Sequence, residues 1–176
     1  MSPKRDKSGI EFVDILDAGQ RRLAVMSRRE ARFQGLNHRE VLLTLGDARR
    51  RACIRRRGTE SRIYPGRLDL IASGHVRSGE AAYDAACRYF LEQTGSPPPG
   101  MHPIRTIHSN PETDFRTVHF FSAGRIKQPS GLRDPETASF LFLDPEELEH
   151  LVLEMPDQLT PSLIFAWRKK LVFSFA

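Results

Sequence analysis

One stretch, from Gly74 to Gly95, constrains this 176-residue chain more than any other. It runs Gly74, five residues, Glu80, seven residues, Arg88, then Glu92 and Gly95. Within it Tyr83, Ala86, Cys87, Phe90 and Leu91 recur at helical spacing, so Glu80–Thr94 is expected as a helix with that stripe inward. Tyr89, Glu92 and Gln93 then fall together on a different face. Gly95 stops the helix, and Ser96-Pro97-Pro98-Pro99-Gly100 forms a rigid connector. Gly74 and Gly79 suit a loop whose backbone side chains would obstruct.

The remainder of the chain mixes strands and helices. Apolar residues over 10–16, Leu23–Met26 and Val41–Leu45 read as strands, with a short polar helix near Ser27–Phe33. Gly46-Asp47 is a turn signal, and Arg51–Arg56 is its hairpin partner. Tyr64-Pro65-Gly66 punctuates a loop before a strand at Leu68–Ala72. Ile104–Ile107, Thr117–Ala123 and Ser139–Leu143 supply further strands. Asp144-Pro145-Glu146-Glu147 carries a cap, a first-turn proline and a capping box, and Leu148, Leu151, Val152 and Met155 mark the core face of its helix. Thr160-Pro161 opens a last helix with Leu163, Ile164, Trp167 and Leu171 inward. Arg168, Lys169 and Lys170 near its end suit the helix dipole. This order fits an α+β fold, an α/β/α sandwich with a mixed central sheet.

An apolar fraction of 39% and mixed charge suit one soluble globular domain over residues 9–176, after a loosely ordered or disordered segment at 1–8. No apolar run reaches about 18 residues, which excludes a spanning helix. The polar N-terminus lacks the apolar core of a secretory signal. Cys53 and Cys87 have no metal-ligand spacing and read as buried thiols, in keeping with a reducing cytoplasm. Net charge is +5, and arginines cluster at 49–51, 55–57, 62 and 67. Such a cluster serves a solvated strand face, a phosphate pocket, an acidic lipid surface or nucleic acid. No nucleic-acid motif accompanies it, so a small phosphorylated molecule stands ahead. The closing Leu171-Val172-Phe173-Ser174-Phe175 is apolar enough to bury in its own core or in a second copy, as a homodimer.

The Gly74–Gly95 spacing resembles the Nudix box, a loop–helix that holds divalent metal against a diphosphate. Asp14, Asn37-His38-Arg39, Arg56-Arg57, Tyr64-Pro65-Gly66, Ser73-Gly74-His75, Glu80 and Asp134-Pro135-Glu136 follow the order of Nudix proteins similar to isopentenyl-diphosphate isomerase. The resemblance covers nearly the whole chain. The box is degenerate: the family's Arg-Glu-x-x-Glu-Glu-x-Gly is here Arg88-Tyr89-Phe90-Leu91-Glu92-Gln93-Thr94-Gly95, and two of three helix carboxylates are missing.

The resemblance implies a structural frame of Gly74, Glu80, Arg88 and Gly95, with Glu80 and Arg88 tying loop to helix. It implies Mg²⁺ or Mn²⁺ held by His38, His75, Glu92, Asp134 and Glu136, with Glu92 and Glu136 catalytic. It also implies diphosphate contacts from Arg56, Arg57 and Arg62. Tyr89 and Gln93 offer no anionic oxygen at neutral pH. Three readings stay open. One is weak or atypical hydrolysis of an organic or nucleoside diphosphate. The second is an inactive domain that binds an anionic metabolite as a sensor or interaction module. Isopentenyl-diphosphate isomerisation comes last, because Ser73 and Ala31 stand where that branch has a cysteine and a histidine. Selectivity is expected in the loops Ser109–Phe115 and Gly124–Asp134.

Overall fold

The computed structural model describes residues 10–127, Leu132 and 139–175. The N-terminal segment at 1–8, and the implied ligands Asp134 and Glu136, lie outside the described residues. At the centre is β3 (Arg39–Asp47), the longest run of buried residues in the sheet. Along one edge it pairs in parallel with β8 (Thr117–Ile126), from Arg39↔Thr117 to Asp47↔Ile126. Its other edge is shared. The first half pairs antiparallel with β6 (Ala72–His75), and Gly46 at the far end pairs with Ala52 of β4 (Ala52–Arg56). Beyond these, β7 (His102–Ile107) joins β8, while β5 (Leu68–Leu70) and β9 (Phe140–Leu143) both join β4.

Alternation along β3 sorts the two cores, since successive side chains of a strand face opposite ways. Val41, Leu43 and Leu45 meet Ala85, Ala86 and Phe90 of α2 (Ala82–Thr94). Leu42 points the other way, with Phe120, toward Leu148 of α3 (Pro145–Glu154) and Leu163 of α4 (Pro161–Arg168). Helices therefore cover both faces of a mixed sheet. A smaller hairpin, β1 (Phe12–Leu16) with β2 (Arg22–Ser27), packs Val13 and Ile15 on Ala31 of α1 (Arg28–Phe33).

The expected elements are present, with three corrections. The strand expected over Leu68–Ala72 is broken at Ile71, and its halves join different partners, β4 and β3. The inward stripe of α2 is rotated. Tyr83 and Leu91 are about half exposed, whereas Ala85, Ala86, Phe90 and Thr94 are buried. Two adjacent alanines let the helix approach the sheet closely, and that close approach outweighs the bulk of Tyr83 and Leu91. Met155 is the exposed C-cap of α3 rather than a core residue. The capping box at Asp144 forms as expected, with Asp144 and Glu147 exchanging bonds of 2.8 Å. Leu171, Val172 and Phe175 bury within the chain's own core, where the Phe175 ring fills the space a Cβ at Gly46 would need.

The loop before α2 is held from two sides. Arg88 donates to both oxygens of Glu80 at 2.8 Å, and the Arg77 N–H adds a bond of 2.9 Å. From the hairpin, buried Asp14 accepts from Ser78 Oγ (2.7 Å) and the Gly79 N–H (3.2 Å). Burial by itself would raise the Glu80 carboxyl. The bonds from Arg88 and Arg77, with their charge, outweigh it and hold Glu80 below its ordinary 4.5.

Two outcomes test this account. Phe90→Ala is expected to lower unfolding free energy by about 3–5 kcal/mol, read from urea midpoints. Glu80→Gln is expected to cost about 3 kcal/mol at neutral pH. Because the folded carboxyl titrates below the unfolded one, its stabilisation is complete above the unfolded value and is withdrawn as pH falls through the folded one. The difference between wild type and Glu80→Gln should therefore shrink from about pH 5 to pH 3, and a constant difference would refute the assignment.

Candidate functional site

The sharing of one edge of β3 opens a cleft of about 480 Å³ above its first half. Its floor is one face of three paired strands. Glu40 and Leu42 of β3 lie beside His75 and Ser73 of β6, and Val118 of β8 completes it. The walls are α1, the loop between β4 and β5, a 3-10 turn at Pro111–Thr113 with the residues after it, and the start of α4.

Gly74 lies in β6, Glu80 and Arg88 pair at 2.8 Å between the loop and α2, and Gly95 ends that helix. Gly95 is left-handed (φ 68°) and closes α2 with a bond to the Leu91 carbonyl. The carboxylate face of α2 is employed differently from the family pattern. Tyr89 lies against β6, and a Cβ at Gly74 would fall inside its ring. The Tyr89 hydroxyl accepts from the His75 N–H at 3.2 Å. Gln93 donates to the Ser73 carbonyl at 3.1 Å and accepts from Arg55 at 2.8 Å. Arg88 reaches the His75 carbonyl at 3.3 Å and stacks 4.2 Å over the Tyr89 ring. Side chains of α2 thus satisfy the outer edge of β6, the groups another strand would otherwise bond. Burial pushes the Tyr89 phenol up, so it offers no phenolate. Glu92, partly exposed, sits 3.7 Å from Arg88 and 4.0 Å from Arg77.

His38 and His75 do come together. His38 Nδ1 lies 2.7 Å from the Leu36 carbonyl and therefore carries a proton; its Nε2 faces His75 Nδ1 at 3.2 Å. That order makes His75 Nδ1 the donor and leaves the lone pair on His75 Nε2, on a residue that lines the cleft. Burial, then His38, Arg28, Arg116 and Arg32, hold His75 well below the usual histidine range. Burial likewise lowers His38. Both rings are neutral near pH 7.

Among the described residues, no three His, Cys, Asp or Glu side chains gather closely enough to hold a metal. The box helix does not fit one. Its one carboxylate at a box ligand position, Glu92, pairs with two guanidiniums, Tyr89 and Gln93 are bonded to β6, and Arg28, Arg32 and Arg116 line the cleft together with His75. A single carboxylate already paired with guanidiniums holds a divalent ion poorly, and Arg32, which makes no ion pair among the described residues, favours an anion.

Of Arg56, Arg57 and Arg62, Arg57 lines the cleft, held by Asp69 (2.9 Å) and the Ile63 carbonyl (3.0 Å). Arg56 reaches the Gly66 carbonyl at 3.1 Å. Neither Arg56 nor Arg62 is part of the cleft wall. The sequence reading missed Arg28, Arg32 and Arg116, which line the cleft instead. It also missed the buried acids Glu40, bonded to Arg116 at 2.6 Å, and Asp69, bonded to Thr160 at 2.7 Å. The i, i+4 pair Arg28 and Arg32 on a short helix was the available signal. The loop Ser109–Phe115, expected to set selectivity, does contribute Pro111–Asp114 to the wall.

The family model for the NUDIX domain matches residues 36–163. A Streptomyces coelicolor protein described as an uncharacterised Nudix hydrolase is 30% identical over 175 residues, covering 92% of each chain. A Yersinia pestis protein of the same description is 36% identical over 86 residues, 49% of this chain and 47% of the relative. One from Pseudomonas aeruginosa is 34% identical over 91 residues, 52% and 54% respectively. The chain therefore spans about half the length of these last two relatives. A crystal structure of a Deinococcus radiodurans protein superposes with a TM-score of 0.76 at 18% identity, covering 90% of this chain and 98% of that one. A MutT protein from Methanosarcina mazei gives 0.54 at 16%, covering 76% and 94%. At such identities the likeness concerns the fold. A domain match across most of the chain and a relative aligned along nearly its full length agree with the box loop, the Glu80–Arg88 tie and the mixed sheet: the chain belongs to the Nudix hydrolase superfamily.

Proposed function

We propose that this protein binds a small phosphorylated metabolite in the cleft without a divalent metal, as a sensor or interaction module, and that its box helix shapes the site instead of activating water. One observation carries the reading. Two of the box positions that would hold metal, Tyr89 and Gln93, are spent on the edge of β6, while Arg28, Arg32 and Arg116 line the same cleft as neutral His75. Guanidinium groups bind phosphate oxygens directly and stay charged at every relevant pH. The arginines seen in the sequence do not form one nucleic-acid surface. Arg51 pairs with Asp47, Arg55 is buried against Gln93, and Arg57 enters the cleft. Free thiols at Cys53 and Cys87 support a reducing compartment such as the cytoplasm. No helix among the described residues is long and apolar enough to cross a membrane.

The second reading is metal-dependent hydrolysis of an organic or nucleoside diphosphate, supported by family membership. The 3.2 Å between His38 Nε2 and His75 Nδ1 also suits two nitrogens on one ion. Asp134 and Glu136 would have to complete such a site. Isomerisation has less support. Ser73 offers a hydroxyl where that branch has a thiol, and Ala31 is fully buried in the hairpin core.

Calorimetric titration with inorganic phosphate separates these readings. In EDTA the wild type is expected to bind, with affinity unchanged by added Mn²⁺, and Arg116→Ala is expected to weaken binding about tenfold or more. Binding that appears only with Mn²⁺, together with phosphate release from a diphosphate that Glu92→Gln abolishes, would overturn the proposal in favour of hydrolysis.

A further inference from the structure

We infer that the cleft selects a phosphate monoester carrying free hydroxyls, a sugar or polyol monophosphate, over a diphosphate. This rests on the metal-free anion site proposed above and concerns what that site accepts.

Charge limits what the cleft accepts. Four arginines line the cleft, and three of them are already answered by acids. Arg28 pairs with Glu11 at 2.7 Å, Arg57 with Asp69 at 2.9 Å, and Arg116 with Glu40 at 2.6 Å. Among the described residues Arg32 makes no ion pair, and it is the one lining guanidinium in that condition. Of the remaining acids of the wall, Glu112 is answered by Lys169 at 2.6 Å, while Asp114 is exposed and 3.8 Å from Arg116. The cleft is therefore nearly balanced before any ligand enters. A phosphate monoester brings about 1.5 to 2 negative charges. A diphosphate brings more, and each additional charge meets Glu40 and Asp114 with no second uncommitted cation to offset them. Like charges brought close together in a partly buried site repel more strongly than in water. A divalent metal would remove that penalty, but the box helix does not fit one.

Hydrogen bonding adds a second constraint. Glu40 uses Oε2 for Arg116, and no donor among the described residues reaches its Oε1. His75 uses Nδ1 for His38, and none reaches its Nε2. Glu40 and His75 are register partners across β3 and β6, and both line the cleft. Two adjacent acceptors thus face a ligand close to the arginines. A diphosphate oxygen, itself an acceptor, cannot satisfy either of them. Hydroxyls of a polyol can, because each donates one proton while the phosphate ester lies on Arg32 and Arg116. An acceptor pair beside an uncommitted guanidinium is complementary to a hydroxylated monophosphate.

The test is calorimetry in EDTA at neutral pH with ribose-5-phosphate, inorganic phosphate and pyrophosphate as probes. Ribose-5-phosphate is expected to bind about tenfold or more tightly than either inorganic probe. Arg32→Ala should weaken ribose-5-phosphate and inorganic phosphate by similar factors. Glu40→Gln removes the opposing charge and frees Arg116, so it should reverse the ranking in favour of pyrophosphate. Circular dichroism checks that the variant folds, and if it does not, the wild-type ranking decides. Wild-type preference for pyrophosphate would overturn the inference and leave the anion-binding proposal standing. Absence of binding by all three would instead remove the proposal on which it rests.

Discussion

The two-pronged bond between Arg88 and Glu80 determines where nearly everything else near the cleft can lie. Glu80 is almost fully buried, and its oxygens accept from the guanidinium and from the Arg77 backbone. A carboxylate in that position needs all of these donors, since a buried charge left partly unpaired is costly. The same guanidinium reaches the His75 carbonyl and covers the Tyr89 ring. One interaction therefore sets the loop, the end of β6 and the orientation of the helix against it. Asp14 secures the loop from the opposite side, so the hairpin and the main sheet share a common joint.

Given that frame, two residue types change what the helix does. Glutamates on this face would carry charge toward the cleft. Tyr89 and Gln93 carry a hydroxyl and an amide, and both find partners on the backbone of β6. Gly74 is needed for this, since any side chain there would collide with the Tyr89 ring. Two side chains of that helix face therefore cover a sheet edge. The charges facing the cleft come instead from α1, β3, β5, the loop between β4 and β5, and the segment after β7. All but Arg32 have an opposite charge within ion-pair distance.

How much of this was legible depended on how local each signal was. The strands, the helix starts at Ser27, Asp144 and Thr160, and the stop at Gly95 are decided by residues within a turn or two, and all appear. The phase of α2 is not legible, because bulky Tyr83 and Leu91 mark a stripe at helical spacing while the sheet selects the closely fitting Ala85 and Ala86. The break at Ile71 was equally hidden, since an unbroken apolar run gives no sign that its halves serve different strands. Arg57 was found through its motif. Arg28, Arg32, Arg116 and Glu40 lie on three separate segments and meet only through the parallel pairing of β3 with β8 and the docking of the hairpin.

From the chain alone came the element types, the box loop with its Glu80–Arg88 tie, and the lack of two helix carboxylates, because each depends on spacing and residue identity over short distances. The tertiary structure alone decided that Tyr89 and Gln93 bond to the edge of β6, that His75 hydrogen-bonds His38, and that arginines and acids alternate around one cleft. Those outcomes depend on which strands become neighbours. That choice is made by the packing of whole faces, and no local periodicity encodes it.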